Sequence, residues 1–144
     1  MDEDIRETNI NHMRFKTIAT TASILTFINA ILFLIIPVLS LSILGRSTNH
    51  VGIMITRISG ACALGLGFIT WSSRKTKSRE VQMLVTNGNL TVFGILLIID
   101  FYGVFTSAIN KLGWLIFLAD LIIFCGFVIS FFTFRGSEEP RPHI

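Results

Sequence analysis

The chain has 144 residues, of which 51% are hydrophobic and 15% are charged, and its mean hydropathy is +0.69. A soluble domain of this length carries more charge, so this composition is typical of a protein whose surroundings are largely lipid. The formal net charge is +3, but the basic residues lie in short segments between apolar runs. That distribution indicates membrane topology and does not predict a nucleic-acid partner.

The apolar runs predict four transmembrane helices, at residues 17–44, 51–71, 81–107 and 112–134. The first run is longer than a perpendicular span needs, so we expect it to tilt or to bend at Pro37. Short polar segments join the four runs. We therefore predict an all-α fold, in which the whole chain forms one integral membrane domain: an antiparallel four-helix bundle with short loops.

The distribution of Lys and Arg predicts the orientation. Three precede the first helix, one lies in the first loop, four in the second, one in the third and two after the fourth helix. Because positive residues concentrate on the cytoplasmic side, the tails 1–16 and 135–144 and the second loop are expected in the cytoplasm. The second loop should also attract anionic lipid headgroups, by up to about 1 kcal/mol per basic residue. These residues are Arg74, Lys75, Lys77 and Arg79.

Three ionisable residues, Arg57, Asp100 and Asp120, lie inside the predicted helices, where a charge costs about 2.5 to 3.5 kcal/mol on insertion scales. At 1.5 Å per residue, all three lie roughly 9 to 12 Å below the outer membrane surface, so we expect them to meet. One arginine between two carboxylates leaves an excess negative charge, which favours a proton on one aspartate. We interpret this layer as an ion-pair lock between helices. The alternatives are a proton or cation route, or contact with a partner subunit or a lipid headgroup.

A polar stripe on the third helix adds weight to the route hypothesis, because Thr86 and Asn89 fall on nearly the same helical face as Asp100. Asn29 in the first helix would extend this stripe or form a hydrogen bond between helices. Asp120 is the candidate for the protonated aspartate, since aromatic residues neighbour it at helical spacing. These are Phe117, Phe124, Phe127 and Phe131.

The second helix carries small residues along one stripe, which predicts close approach of another helix. The stripe includes Gly52, Ser59, Gly60, Ala63 and Gly67. The segment Arg57–Trp71, followed by the basic loop, resembles the second helix of small prokaryotic four-helix membrane proteins of uncharacterised function. The resemblance implies a membrane helix and no particular activity.

Residues that would carry catalysis or bind a cofactor are not arranged for it. No Glu lies within a predicted span, the histidines lie in the tails or at an outer edge, and no Ser-His-Asp or Cys-His set falls at one depth. Cys62 and Cys125 lack metal-ligand spacing and are interpreted as packing residues. We therefore expect no enzymatic activity, no cofactor and no bound metal.

Two functions fit these observations. The favoured hypothesis is a non-enzymatic accessory or assembly subunit that packs against other membrane proteins or against copies of itself, because the loops are too short to form a receptor or a catalytic head. The alternative is a small oligomeric transporter, coupled to protons or cations through the intramembrane carboxylates.

Overall fold

The computed structural model describes residues 2–45 and 49–136, with the backbone alone at residues 2–11 and 135–136. These ranges contain five helices: α1 Asp2–Ile35, α2 Pro37–Ile43, α3 His50–Ser73, α4 Arg79–Phe105 and α5 Gly113–Gly136. Within α1, α3, α4 and α5 lie four stretches long and apolar enough to cross a membrane. The prediction of an all-helical chain with four such helices is thereby confirmed.

The first predicted helix differs most from the structure. Its polar tail is already helical from Asp2, which is consistent with the absence of Gly and Pro from residues 2–16. At the other end, the predicted single helix is two helices that meet at Pro37, because proline has no N–H to donate to the preceding turn. Ser40 Oγ bridges the break by bonding the carbonyl oxygens of Leu32 and Ile36, each at 3.1 Å.

The remaining predicted helix boundaries differ from those of the structure by two residues or fewer. Hydrogen bonds to capping side chains explain where two of these helices begin. Asn49 accepts a hydrogen bond from the backbone N–H of Gly52 at 2.8 Å and begins α3, while Ser78 caps α4 through the N–H of Val81. The predicted C-terminal tail beyond Gly136 lies outside the described residues.

Two antiparallel hairpins make up the bundle. In the first, α3 packs against α1 so that Gly60 faces Ala30 and Phe33, while Gly67 faces Phe27. Later residues of α3 therefore contact earlier residues of α1, so the two helices run antiparallel. In the second hairpin, α4 packs against α5 in the same antiparallel sense, as the ring contacts between Phe93 and Phe127 and between Phe101 and Phe117 show.

The hairpins join mainly at one end of the bundle, which we call the basic end because it carries residues 12–16 and 74–79. Two clusters of buried apolar side chains link α1 to α4 and α5 there. Their buried members lie at residues 15–22, 85–93 and 123–134. At the opposite end, Asn110 bonds the backbone at Ile43 and Leu44. The helices α1, α4 and α5 thus share their buried apolar core in the basic half.

Candidate functional site

Asp100 on α4 and Asp120 on α5 form the carboxyl pair, in which the two side chains lie within hydrogen-bonding range of each other. Both side chains are partly buried, and Asp100 Oδ2 accepts no hydrogen bond from the described residues. No Lys, Arg or His in the described ranges forms an ion pair with either aspartate. Two carboxylates in contact repel each other when both are ionised, so the arrangement suits a shared proton or a bound cation.

Helical register explains why these two residues meet. Asp100 lies seven residues after Phe93, and Asp120 lies seven residues before Phe127. Seven residues are two helical turns, so each aspartate shares a face with an aromatic residue of the α4–α5 contact. Phe101 and Phe117 pack beside the pair, with ring centroids 6.1 Å apart.

Arg57 does not join the carboxyl pair. Its side chain is exposed on α3 and forms no ion pair within the part of the chain that the structure describes. α3 packs on α1, whereas the carboxyl pair lies between α4 and α5. Equal depth along the helices brings residues together only if their helices are also neighbours on the correct faces, and this second condition separates Arg57 from the aspartates.

Asn29 is also separate from the polar stripe. It lies seven residues after Ala22, which packs with Ile123 and Phe127, and therefore occupies the same face of α1 two turns further along. Its side chain is nevertheless exposed, because the buried core that α1 shares with α5 ends near Ala22. Asn29 has no hydrogen-bond partner among the described side chains.

The buried polar layer occupies the basic half of the bundle and draws at least one residue from each long helix. Its members are Ser23, Thr70, Thr86, Asn89 and Ser130, all at most 4% exposed. Asn89 Nδ2 donates to Thr70 Oγ1 at 3.0 Å and to the carbonyl oxygen of Val85 at 2.8 Å. Thr86 Oγ1 and Ser130 Oγ, by contrast, have no hydrogen-bond partner in the described structure. Such hydroxyl groups are available to a proton, an ion or water.

The sequence predicted Thr86 and Asn89 but missed the other members of this layer. The sequence did indicate that Thr70 could be buried, because it lies three residues after Gly67 and therefore flanks the small-residue face of α3. Ser130 likewise lies three residues after Phe127. Each residue on its own is an ordinary helical Ser or Thr, so only the burial that results from helix packing distinguishes it.

An aromatic contact separates the carboxyl pair from the buried polar layer. Phe93 lies between Asn89 and Asp100 on α4, and Phe127 occupies the matching position on α5. The two rings stack with centroids 6.4 Å apart, and both side chains are buried. The interior of the bundle therefore alternates from polar to apolar to polar along its axis.

The hydrogen bond between Asn89 and Thr70 predicts a measurable contribution to stability. Replacing Asn89 with Ala should lower the free energy of unfolding in detergent by about 0.6 to 1.7 kcal/mol, since bonds of this kind between membrane helices fall in that range. Asn87→Ala is the matched control, because Asn87 is exposed on the same helix. Equal losses in the two variants would contradict the role assigned to the bond.

The predicted small-residue stripe divides into a packed and an open part. Gly60 and Gly67 are buried against α1 and allow close approach within the chain. Gly52 and Ala63 are partly buried, while Ser59 is exposed and donates to the carbonyl oxygen of Ile55 at 3.0 Å. Of the residues in this stripe, Gly60 and Gly67 therefore pack against another helix of the same chain.

The basic segment 74–79, which comprises the α3–α4 loop and the first residue of α4, has two engaged and two exposed basic residues. The Arg74 guanidinium lies 3.2 Å from the ring centroid of Trp71, which is a cation–π contact. Arg79 Nη2 donates to the carbonyl oxygen of Phe134 and so connects the start of α4 to the last turn of α5. Lys75 and Lys77 are exposed and available to anionic headgroups.

Comparisons with known proteins identify the family without naming an activity. Neither the curated proteins nor the solved structures contain a significant match to the chain. Residues 20–142 match the family described as Domain of unknown function (DUF8292). Because this match covers most of the chain, including the carboxyl pair and the buried polar layer, the protein belongs to that family.

Proposed function

We propose that the protein is an integral membrane protein with four spans and with both ends in the cytoplasm. The four candidate spans have 22 to 27 residues, or roughly 33 to 41 Å at 1.5 Å per residue, which exceeds a hydrocarbon core of about 30 Å. Large apolar side chains are exposed along all four long helices, as lipid contact requires. The excess of Lys and Arg at the basic end supports a cytoplasmic position for that end.

The function that the site supports best is the binding and transfer of a proton or a small monovalent cation by an oligomeric carrier. The observation that carries this proposal is the carboxyl pair, which lies within two candidate spans and has no basic partner among the described residues. An ion-pair lock needs a cation in contact with the aspartates, and Arg57 is not in contact with them. Intramembrane carboxylates without a protein counter-ion are typical of proton and cation sites.

The layered interior supports the same proposal. A carrier needs polar groups that receive the ion on either side of a barrier, and the barrier must not conduct in the resting state. The carboxyl pair and the buried polar layer lie on opposite sides of the Phe93–Phe127 contact. Because the buried apolar clusters that join the hairpins, as far as the structure describes the chain, lie in the basic half, a hinge motion between the hairpins would change access to the carboxyl pair.

Flux in proteoliposomes tests this function. The purified full-length chain, reconstituted in liposomes that contain a dye selective for protons, sodium or potassium, should relax an imposed gradient of one of these ions faster than empty liposomes do. The gradient that relaxes identifies the ion. Protein that is folded and inserted but leaves all three gradients unchanged would refute the proposal.

An accessory or assembly subunit is the second candidate, and the outward position of Arg57 favours it. An exposed guanidinium about ten ångströms from the end of α3 is costly in lipid unless it reaches the interface or meets a carboxylate. A neighbouring membrane protein, or a second copy of this chain, would supply that carboxylate.

Affinity purification from native membranes in mild detergent, followed by native mass spectrometry, tests the second candidate. A stoichiometric partner that is retained by the wild type and by Lys77→Gln, but lost from Arg57→Gln, is the expected result. Lys77 is a suitable control because it is basic and exposed but lies outside the candidate spans. A monomer without a partner would remove this candidate.

A further inference from the structure

A groove of about 470 Å³ lies between α1 and α5 at the basic end of the bundle. This volume falls within the range of about 300 to 1,000 Å³ that is usual for small-molecule sites. Its walls are mainly apolar, with Met13 and Ile18 from α1 and Ile129 and Phe134 from α5. The groove is independent of the carboxyl pair, which lies near the other end of α5.

Two polar groups in the groove are left without a partner in the described residues. Arg14 lines the groove with an exposed side chain and forms no ion pair there. Ser130 also lines it, and its side chain is only 4% exposed although Oγ makes no hydrogen bond. The hydroxyl of Thr17, in contrast, bonds the carbonyl oxygen of Met13 at 3.0 Å. A buried donor without an acceptor costs stability, which indicates that a ligand supplies the acceptor.

The depths of these two groups match the order of groups in a glycerophospholipid. Arg14 lies in the first turn of the apolar stretch that begins at His12, where lipid phosphates are found. Ser130 lies four residues before Phe134, the last residue of its span, and is therefore roughly 6 Å deeper. The glycerol-linked oxygens of a lipid lie below its phosphate, and the acyl chain continues into the apolar part.

We propose that this groove binds one anionic glycerophospholipid. The Arg14 guanidinium contacts the phosphate, Ser130 Oγ donates to a glycerol-linked oxygen, and one chain packs along Ile18 and Ile129. The preference for an anionic headgroup comes from Arg14, the basic residue of the groove lining, because a zwitterionic headgroup carries its own cation beside the phosphate and so competes with the guanidinium. The lipid would thereby hold α1 against α5 at the point where the two hairpins join.

Native mass spectrometry of the delipidated full-length protein tests the proposal, with phosphatidylglycerol and phosphatidylcholine as the added lipids. The wild type should bind one phosphatidylglycerol about fivefold more tightly than phosphatidylcholine. Arg14→Gln should remove that preference, because the loss of one basic contact near the surface corresponds to about fivefold in affinity. Met13→Trp should lower the binding of both lipids, since the indole fills the groove.

Two control variants distinguish the groove from general attraction to the basic end. Lys77→Gln removes an exposed positive charge at the same end, and Ile122→Trp adds an indole to an exposed apolar position of α5 outside the groove. Both should bind phosphatidylglycerol as the wild type does. Equal affinity of the wild type for the two lipids, equal losses in Lys77→Gln and Arg14→Gln, or unchanged binding by Met13→Trp would each overturn the proposal.

Discussion

Replacing Asp120 with Asn is expected to reduce the ion flux of proteoliposomes at least about tenfold, and Asp100→Asn should do the same. Asparagine keeps the shape of the side chain but can neither take up a proton nor balance the charge of a cation. Since the two carboxyl groups lie within hydrogen-bonding range of each other, the double variant should be no worse than either single variant. Such non-additivity is the signature of two groups that form one site.

Glu80→Gln is the control for these variants, because it removes an exposed carboxylate from the same helix outside the pair. Its flux should equal that of the wild type. The melting temperature in detergent supplies a second readout, and we expect it not to fall in Asp100→Asn or Asp120→Asn, since neutralising one member removes repulsion within the pair. A fall in melting temperature with unchanged flux would mean that the aspartates hold the helices together and carry no ion.

Depth alone led to the expectation that Arg57, Asp100 and Asp120 meet in one layer, whereas the structure brings the two aspartates together and leaves Arg57 apart. Asp100 and Asp120 belong to consecutive helices joined by a short loop, so their helices are neighbours, and the register with Phe93 and Phe127 places both residues on the facing sides. Arg57 belongs to the other hairpin. Its position depends on how the hairpins pack and rotate, and a single sequence with uniformly apolar helices contains little information on rotation.

The buried polar layer illustrates the same limit. Apolar residues cover nearly every face of these helices, because lipid accepts the same side chains as a protein interior does. Periodicity therefore does not distinguish the lipid-facing from the buried side. Asn29 and Asn89 are both asparagines within apolar runs, yet the first is exposed and the second is buried and bonded to Thr70. The helix break at Pro37, in contrast, follows from the missing N–H and was predictable from one residue.

Replacing Gly60 with Ala should destabilise the protein more than the same change at Gly65 or Gly67 of α3. A Cβ at Gly60 would lie 2.9 Å from the Cβ of Phe33 and 3.1 Å from the carbonyl oxygen of Ala30. These atoms belong to or adjoin the backbone of α1, so α1 itself must move away. Overpacking of this kind costs about 1 to 3 kcal/mol, which unfolding titrations in mixed micelles can measure.

Gly67 and Gly65 complete the series on the same helix. A Cβ at Gly67 would lie 3.0 and 3.1 Å from two ring atoms of Phe27 and 3.4 Å from Thr26 Cγ2. The ring can rotate aside and the Thr26 distance is ordinary contact, so the loss should be smaller than at Gly60. A Cβ at Gly65 would meet no atom within 4 Å, and alanine favours the helix over glycine by about 1 kcal/mol, so Gly65→Ala should be neutral or stabilising. The loss of stability on replacement by alanine should therefore decrease in the order Gly60, Gly67, Gly65, and this order follows from the α1–α3 contact alone. If Gly65→Ala were as damaging as Gly60→Ala, the exposed face of α3 would have to be an interface with another chain, which would favour the assembly-subunit proposal over the carrier.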